Sequence, residues 1–260
     1  MKLRIVCVIH NRKVADITSL KSFKKALTEL ENLEIWVYDN SSQDGFGGNA
    51  AEAAKYGFHY VKNGENLGLS KAYNKALWDA QAYDDIWLMF ADDDTLFSSK
   101  YIGNVYKAIE RRQPEIITGI VKQGDFIVSP MKKNTIFPKN REPIEEHGVY
   151  KNIYAINSGL TIKTTLLEEI GGFEERLFLD MVDYILMDEL IEKGKNLILV
   201  VSGAITQKLS GLDFSDKEAS KRRFKTYNKD FKEYCKLTQK PLPYRMIIPL
   251  KRRINIGIHK

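Results

Sequence analysis

Apolar and polar positions follow two rhythms in the first half of the chain. Leu3 to Ile9 is a nearly unbroken apolar run, the pattern of a strand buried on both faces. Asp16 to Glu31 places Leu20, Phe23, Leu27 and Leu30 on one face at helical spacing. Ile35 to Tyr38 predicts a second strand, Asn49 to Tyr56 a short Ala-rich helix, and Phe58 to Val61 a third strand. Ser70 to Tyr83 predicts a long helix, with Ser70 as N-cap and Ala72, Ala76, Leu77 and Ala80 as its packing face. Ile86 to Phe90 is a fourth strand. Strands separated by helices of this length imply right-handed βαβ units and a mostly parallel sheet, hence an α/β fold.

The rhythm changes after Pro114. Ile116 to Val121 and Phe126 to Val128 read as short strands divided by the turn Gln123-Gly124-Asp125. Met131 to Gly148 is polar, contains Pro138 and Pro143, and reads as a long loop over the site. Thr164 to Ile170 predicts a helix stopped by Gly171-Gly172, and Leu179 to Lys193 a helix with Gly194 at its C′ position. Leu197 to Val201 is a last strand, and Ser215 to Leu237 an amphipathic helix carrying Phe224, Tyr227, Phe231 and Tyr234. The expected division is a domain over 1–212, with halves at about 1–114 and 115–212, and a basic, partly helical extension over 213–260.

Composition narrows the class. An apolar fraction of 43% is sufficient for a core. No apolar run approaches the ~18 residues of a membrane span, and the N-terminal apolar stretch lacks a small-residue cleavage site. Cys7 and Cys235 lie far apart and imply no disulfide framework, which fits a reducing cytoplasm. The net charge of +6 is uneven: from Lys217 onward 14 Lys or Arg face 3 acids, so the preceding body is net negative. Such a tail attracts anionic partners, but no helix-turn-helix, zinc-finger or RNP signature points to nucleic acid.

The chemistry concentrates where predicted strands end. Asp92, Asp93 and Asp94 close the fourth strand. Three adjacent carboxylates repel one another, and a cation such as Mg²⁺ or Mn²⁺ would neutralise them. Taken alone, an acidic turn capping the next helix through Asp94 or Ser98 explains them equally well. Four other segments occupy equivalent places: His10-Asn11-Arg12, Asp39 to Gly45, Asn63 to Ser70 with Asn74, and Phe173 to Asp183. Each alone has a structural explanation as an Asx turn, a cap or a helix-dipole charge. Their order and phase together are harder to ascribe to chance.

In these segments the sequence resembles the inverting family 2 glycosyltransferases of GT-A fold. The matched pieces include His10-Asn11-Arg12, Asp39-Asn40-Ser41-Ser42, Asn66-Leu67-Gly68 with Asn74, Asp92 to Asp94, Asn157-Ser158-Gly159, and Gly171-Gly172-Phe173 followed by Asp180 and Asp183. It is most similar to the bacterial rhamnosyltransferase and galactofuranosyltransferase branch. The resemblance implies a Rossmann-like, mostly parallel twisted sheet flanked by helices. It implies that Asp39 contacts the base or ribose, beside His10, Asn11 and Arg12. Asn40, Asn66, Gly68 and Asn74 line the nucleotide pocket, glycine at 68 letting the backbone approach the ligand. Asp92 and Asp94 form the DxD-type metal pair, with Asp94 the direct ligand of Mn²⁺ or Mg²⁺. Asp93 faces the donor sugar or ribose, with Ser158 and Gly159 shaping sugar choice. Asp183 is the general base, and Asp180 its neighbour or competitor.

The pattern departs from that family twice. Ile185 stands where many relatives carry an acid, and Gln207 or Lys208 where relatives often carry a metal-binding histidine. Tyr227-Asn228 resembles an aromatic-Asn pair in the tail of some rhamnosyltransferases. The implied activity is sugar transfer from dTDP-rhamnose, UDP-galactofuranose or another UDP-hexose to a saccharide or lipid-linked saccharide. The expected location is the cytoplasm, with the basic tail docking on the anionic inner face of the plasma membrane; a homodimer is left open. Two other classes remain: a nucleotidyltransferase, although His10-Asn11-Arg12-Lys13 lacks the expected glycines, and a nucleotide-sugar-binding or membrane-docking module without catalysis.

Overall fold

The computed structural model describes residues 1–42, 44–81, 86–133, 142–207 and 217–258. Strands β1 (Lys2–Ile9), β2 (Leu33–Asp39), β3 (His59–Lys62) and β4 (Ile86–Ala91) alternate with helices α1 (Thr18–Glu29), α2 (Asn49–Lys55) and α3 (Leu69–Trp78). There follow β5 (Leu96–Phe97), α4 (Ser99–Arg112), β6 (Ile116–Gln123), β7 (Phe126–Ser129), β8 (Met131–Lys132), β9 (Gly148–Tyr150), β10 (Ile153–Tyr154) and β11 (Thr161–Lys163). The chain continues through α5 (Thr164–Ile170), α6 (Val182–Glu192), β12 (Ile198–Thr206), α7 (Lys217–Leu237) and α8 (Leu242–Ile258).

The main sheet runs β3-β2-β1-β4-β11-β6-β12-β5. The first four strands are parallel, as are β6 and β12, while the three-residue β11 joins the two blocks antiparallel to β4 and β6. Every residue of β4 is buried, as its continuous apolar sequence requires of a central strand. Helices cover both faces, and each face has its own apolar core. The α/β class and the mostly parallel sheet therefore agree with the sequence pattern.

Several boundaries differ from expectation. Ser70 is inside α3 and does not cap it: the helix opens after Gly68, where the Leu69 N–H donates to the Phe178 carbonyl at 2.6 Å. The helix ends at Trp78 with Asp79 as its C-cap, five residues before the predicted Tyr83, which itself lies outside the described residues. Helix α6 starts at Val182, after Met181 in the left-handed region (φ 64°), so Asp180 sits in a loop and not on the helix. The described ends of the expected 131–148 loop are tied down by β8 pairing with β10 and by buried Ile144, and neither end lines the cleft described below.

The largest difference is in the tail. Tyr227, Phe231, Tyr234 and Cys235 of α7 belong to the same core as β4 and α3. Burying aromatic side chains of this size contributes on the order of 2 kcal/mol each, enough to make α7 part of the body. Helix α8 then packs back, with Tyr244 stacked on Phe231 at 5.7 Å and Arg252 lying 3.8 Å over the Tyr227 ring. The basic segment is a wall of the molecule and not a separate appendage.

Candidate active site

The carboxyl ends of β1, β2 and β4 open into one cleft of about 750 Å³. It is lined by His10, Asn40, Asn66 and Gly68, by Asp92, Asp93 and Asp94, and by Asp180 and Asp183. The cleft thus brings together segments separated by more than a hundred residues in sequence. Tail residues Arg223, Tyr227, Ile248, Lys251 and Arg252 complete it.

The aspartates are not helix caps. Ser98 takes that role for α4, its Oγ accepting from the Tyr101 N–H at 3.2 Å, and β5 separates the aspartates from the helix. Burial pushes the Asp92 carboxyl up to about 7, reinforced by repulsion from Asp94 and opposed by a hydrogen bond from Gln207; Asp183 is close enough to add to the rise. Burial and then Asp93 raise Asp94 in the same sense. The Gln207 Nε2 donates to Asp92 Oδ2 at 2.7 Å and more weakly to Asp94 Oδ1 at 3.4 Å. Asp93 instead pairs with Arg12 at 3.0 Å. Lys208, the other candidate for the histidine's place, lies outside the described residues.

The donor set fits a divalent cation. Gln207 Oε1 is buried and has no hydrogen-bond partner among the described residues, and its amide sits beside two carboxylates that repel each other. A hard cation would satisfy that oxygen and remove the repulsion. Among the described residues no group of three His, Cys, Asp or Glu side chains is arranged to hold a metal, so ligand oxygens would have to complete the shell. Two further buried polar atoms of the cleft residues, Tyr73 OH and Asn157 Oδ1, also lack protein partners, and polar ligand groups would satisfy them.

Other expected site residues serve the framework. Asn74 does not reach the cleft: its amide donates to the Phe173 carbonyl and Glu175 at 2.9 Å and accepts from the Phe173 N–H at 2.7 Å, bolting α3 to the Gly-Gly-Phe turn. Ser158 and Gly159 likewise lie off the lining of the cleft. Ser158 is fully buried and bonded to Thr95 at 2.7 Å, while Gly159 binds the Phe90 carbonyl, and a Cβ there would meet Ile205 at 2.8 Å. Gly68 does line the cleft, but a Cβ on it would come within 2.6 Å of Phe178, so a protein contact explains the glycine.

Asp39 is almost wholly buried. Burial alone would raise its pKa, but donors from Ser41, Tyr60 and Asn49 hold it below the ordinary carboxylate value. It thereby shapes the loop that presents Asn40, whose amide donates to the Gly68 carbonyl at 3.1 Å. Asn11 supports the same loop through its N–H to Ser41 Oγ at 2.8 Å.

Asp180 and Asp183 are held by different partners. Asp180 is gripped through both oxygens by the Arg223 guanidinium. Asp183 stands in the first turn of α6, accepts from the Tyr184 N–H at 2.9 Å and lines the cleft. Sequence reasoning missed Asp230, which is fully buried in α7 and accepts from three successive backbone N–H groups, Phe178 at 3.2 Å and Leu179 and Asp180 at 2.8 Å. Its place among Tyr227, Phe231 and Tyr234 on one helical face was the available signal.

The profile of glycosyl transferase family 2 matches residues 5–171, more than half of the chain. The chain belongs to that family. That membership sets the nucleotidyltransferase alternative aside. A dTDP-rhamnosyl transferase RfbF of Shigella flexneri is 25% identical over 173 residues, 63% of this chain and 56% of the relative. The match thus spans about half the length of that curated relative. Among solved structures, GalNAc-T7 with UDP, GalNAc and Mn²⁺ aligns with a TM-score of 0.63 at 15% identity, over 98% of this chain and 54% of that one. The mannosyltransferase PcManGT of Pyrobaculum calidifontis, in complex with GDP-Man and Mn²⁺, aligns at 0.58 and 14% identity, over 99% and 73%. The TarS fragment 1–349 of S. aureus aligns at 0.57 and 16% identity, over 90% and 66%. These likenesses establish the GT-A glycosyltransferase fold.

Proposed function

We propose that the protein is a metal-dependent, inverting hexosyltransferase. It moves a sugar from a nucleotide-sugar donor to a hydroxyl of a growing cell-surface polysaccharide. The observation that carries this reading is the one cleft that Asp92, Asp94, Gln207 and Asp183 line together. The similarity to a dTDP-rhamnosyl transferase favours dTDP-rhamnose, ahead of UDP-galactofuranose and other UDP-hexoses. The nucleotide moiety is assigned to the part of the cleft lined by Asn40 and Asn66, as its polar contacts, beside His10.

Inversion needs one in-line displacement at the anomeric carbon, so the acceptor must approach opposite the leaving diphosphate. Asp183, in the first turn of α6 and lining the cleft, is the group assigned to take the acceptor proton. Asp94, Asp92 and the Gln207 carbonyl oxygen are the groups that would hold Mn²⁺ or Mg²⁺. When bound, the cation would stabilise the charge that develops on the leaving diphosphate. Lys251 and Arg252, on the tail side of the same cleft, add positive charge for it.

The test is transfer and hydrolysis across a panel of dTDP-, UDP- and GDP-sugars, with Asp183→Asn and Asp180→Asn alongside the wild type. Asp183→Asn is expected to lose about 10²–10⁴-fold in kcat with donor affinity retained. Asp180→Asn is expected to lose much less. An Asp183→Asn enzyme with wild-type turnover would remove Asp183 from the chemistry, and no activity with any donor would overturn the whole reading.

A further inference from the structure

Helix α8 has two faces of different use. Tyr244, Ile248 and Arg252, spaced by four, turn inward onto Phe231, the cleft and Tyr227. Leu242, Met246 and Leu250, also spaced by four, turn outward and are 68%, 65% and 58% exposed, with Ile247 beside them at 51%. Among the described residues no other element exposes more than one large apolar side chain. An isolated exposed leucine needs no explanation, but a stripe along one helix does.

The charge around the stripe identifies its occupant. Arg245, Lys251 and Arg253 flank it and are exposed, and no acidic residue follows Glu233 in the sequence. An apolar face whose charged neighbours on its own helix are all cations matches an anionic lipid leaflet, with apolar side chains in the acyl boundary and Lys and Arg at the headgroups. A second copy of the chain would bring like charges together at the same stripe. Among the described residues no helix is long and apolar enough to cross a membrane, so the contact would be peripheral.

We propose that the outer face of α8 docks the protein on an anionic lipid surface. Because Ile248, Lys251 and Arg252 of the same helix line the cleft, docking sets the cleft at the membrane, and the acceptor is a saccharide carried on a lipid. The acceptor clause rests on the glycosyltransferase reading above; the docking clause does not.

The test is co-sedimentation of the full chain with vesicles of phosphatidylcholine alone and of phosphatidylcholine mixed with phosphatidylglycerol. The expected result is salt-sensitive binding to the mixed vesicles only. A Leu242→Ser, Met246→Ser, Leu250→Ser variant and an Arg245→Gln, Arg253→Gln variant should each bind at least about tenfold more weakly. Both should keep wild-type thermal unfolding and donor hydrolysis, and Asp183→Asn should bind vesicles like the wild type. Absence of vesicle binding, or equal binding by the variants, would overturn the docking. So would a concentration-dependent dimer in sedimentation velocity that the triple serine variant abolishes, because a second copy would then cover the face. Docking lost with donor turnover intact leaves the glycosyltransferase reading standing; turnover absent with docking intact does the reverse.

Discussion

Gln207 stands where the resemblance led us to look for a histidine, and its surroundings explain how an amide can serve. Its NH₂ bridges the two carboxylates that most need neutralising, while its carbonyl oxygen is buried without a partner. Exchange of the amide's two ends on metal binding would turn a donor to Asp92 into an oxygen ligand. Gln207→Ala is therefore expected to weaken Mn²⁺ binding about tenfold, and Gln207→His to strengthen it, read by titrating free Mn²⁺ by EPR in the presence of UDP or dTDP. Unchanged affinity in both variants would take Gln207 out of the metal site. The aspartates were legible in the sequence because three carboxylates at the end of an apolar strand have few inexpensive structural uses. Asn74, Ser158 and Gly159 were not, because a buried amide, hydroxyl or glycine serves a turn as readily as a ligand, and only the observed partners separate the two.

At the level of elements, legibility followed the range of the forces involved. The β1-to-β4 alternation is local periodicity, and the sequence shows it within a residue or two except at the C-terminal end of α3, which stops at Trp78. The three-residue β11 depends on partners more than forty positions away in β6, and no period announces it. Helix α8 was hidden by Pro241, Pro243 and Pro249, which ordinarily mark the end or interruption of a helix. The loop 178–181 lines the cleft, and Asp230 of α7 holds it through three charge-assisted bonds. Asp230→Asn replaces one oxygen by an NH₂ that faces backbone donors. The expected cost is about 3 kcal/mol, a fall in Tm of roughly 10 °C. As a positioning residue, Asp230 should also affect kcat more than donor KM, because it places the approach to Asp183. A stability loss with unchanged kcat would make Asp230 purely structural.

For the whole molecule, the uneven charge acquires a purpose once the tail is folded back. The acidic body supplies the carboxylates of the cleft and the basic tail supplies Arg223, Lys251 and Arg252 to the same space. Arg223 is consumed by Asp180, whereas Lys251 and Arg252 lie on the wall contributed by α8, Arg252 over the face of Tyr227. If these two cations face the donor diphosphate, the tail supplies charge that the missing histidine does not. Lys251→Ala with Arg252→Ala should then weaken UDP or dTDP binding by about 10–100-fold at low salt, the loss of one or two charge-assisted contacts. The deficit should shrink as salt rises, because the remaining attraction of the wild type is screened. Calorimetric titration of the nucleotide at two ionic strengths measures both effects, and thermal unfolding checks that α8 still packs. Equal affinity for wild type and variant would confine the cations of α8 to the outer, lipid-facing role and leave the diphosphate to Asp92, Asp94, Gln207 and their metal.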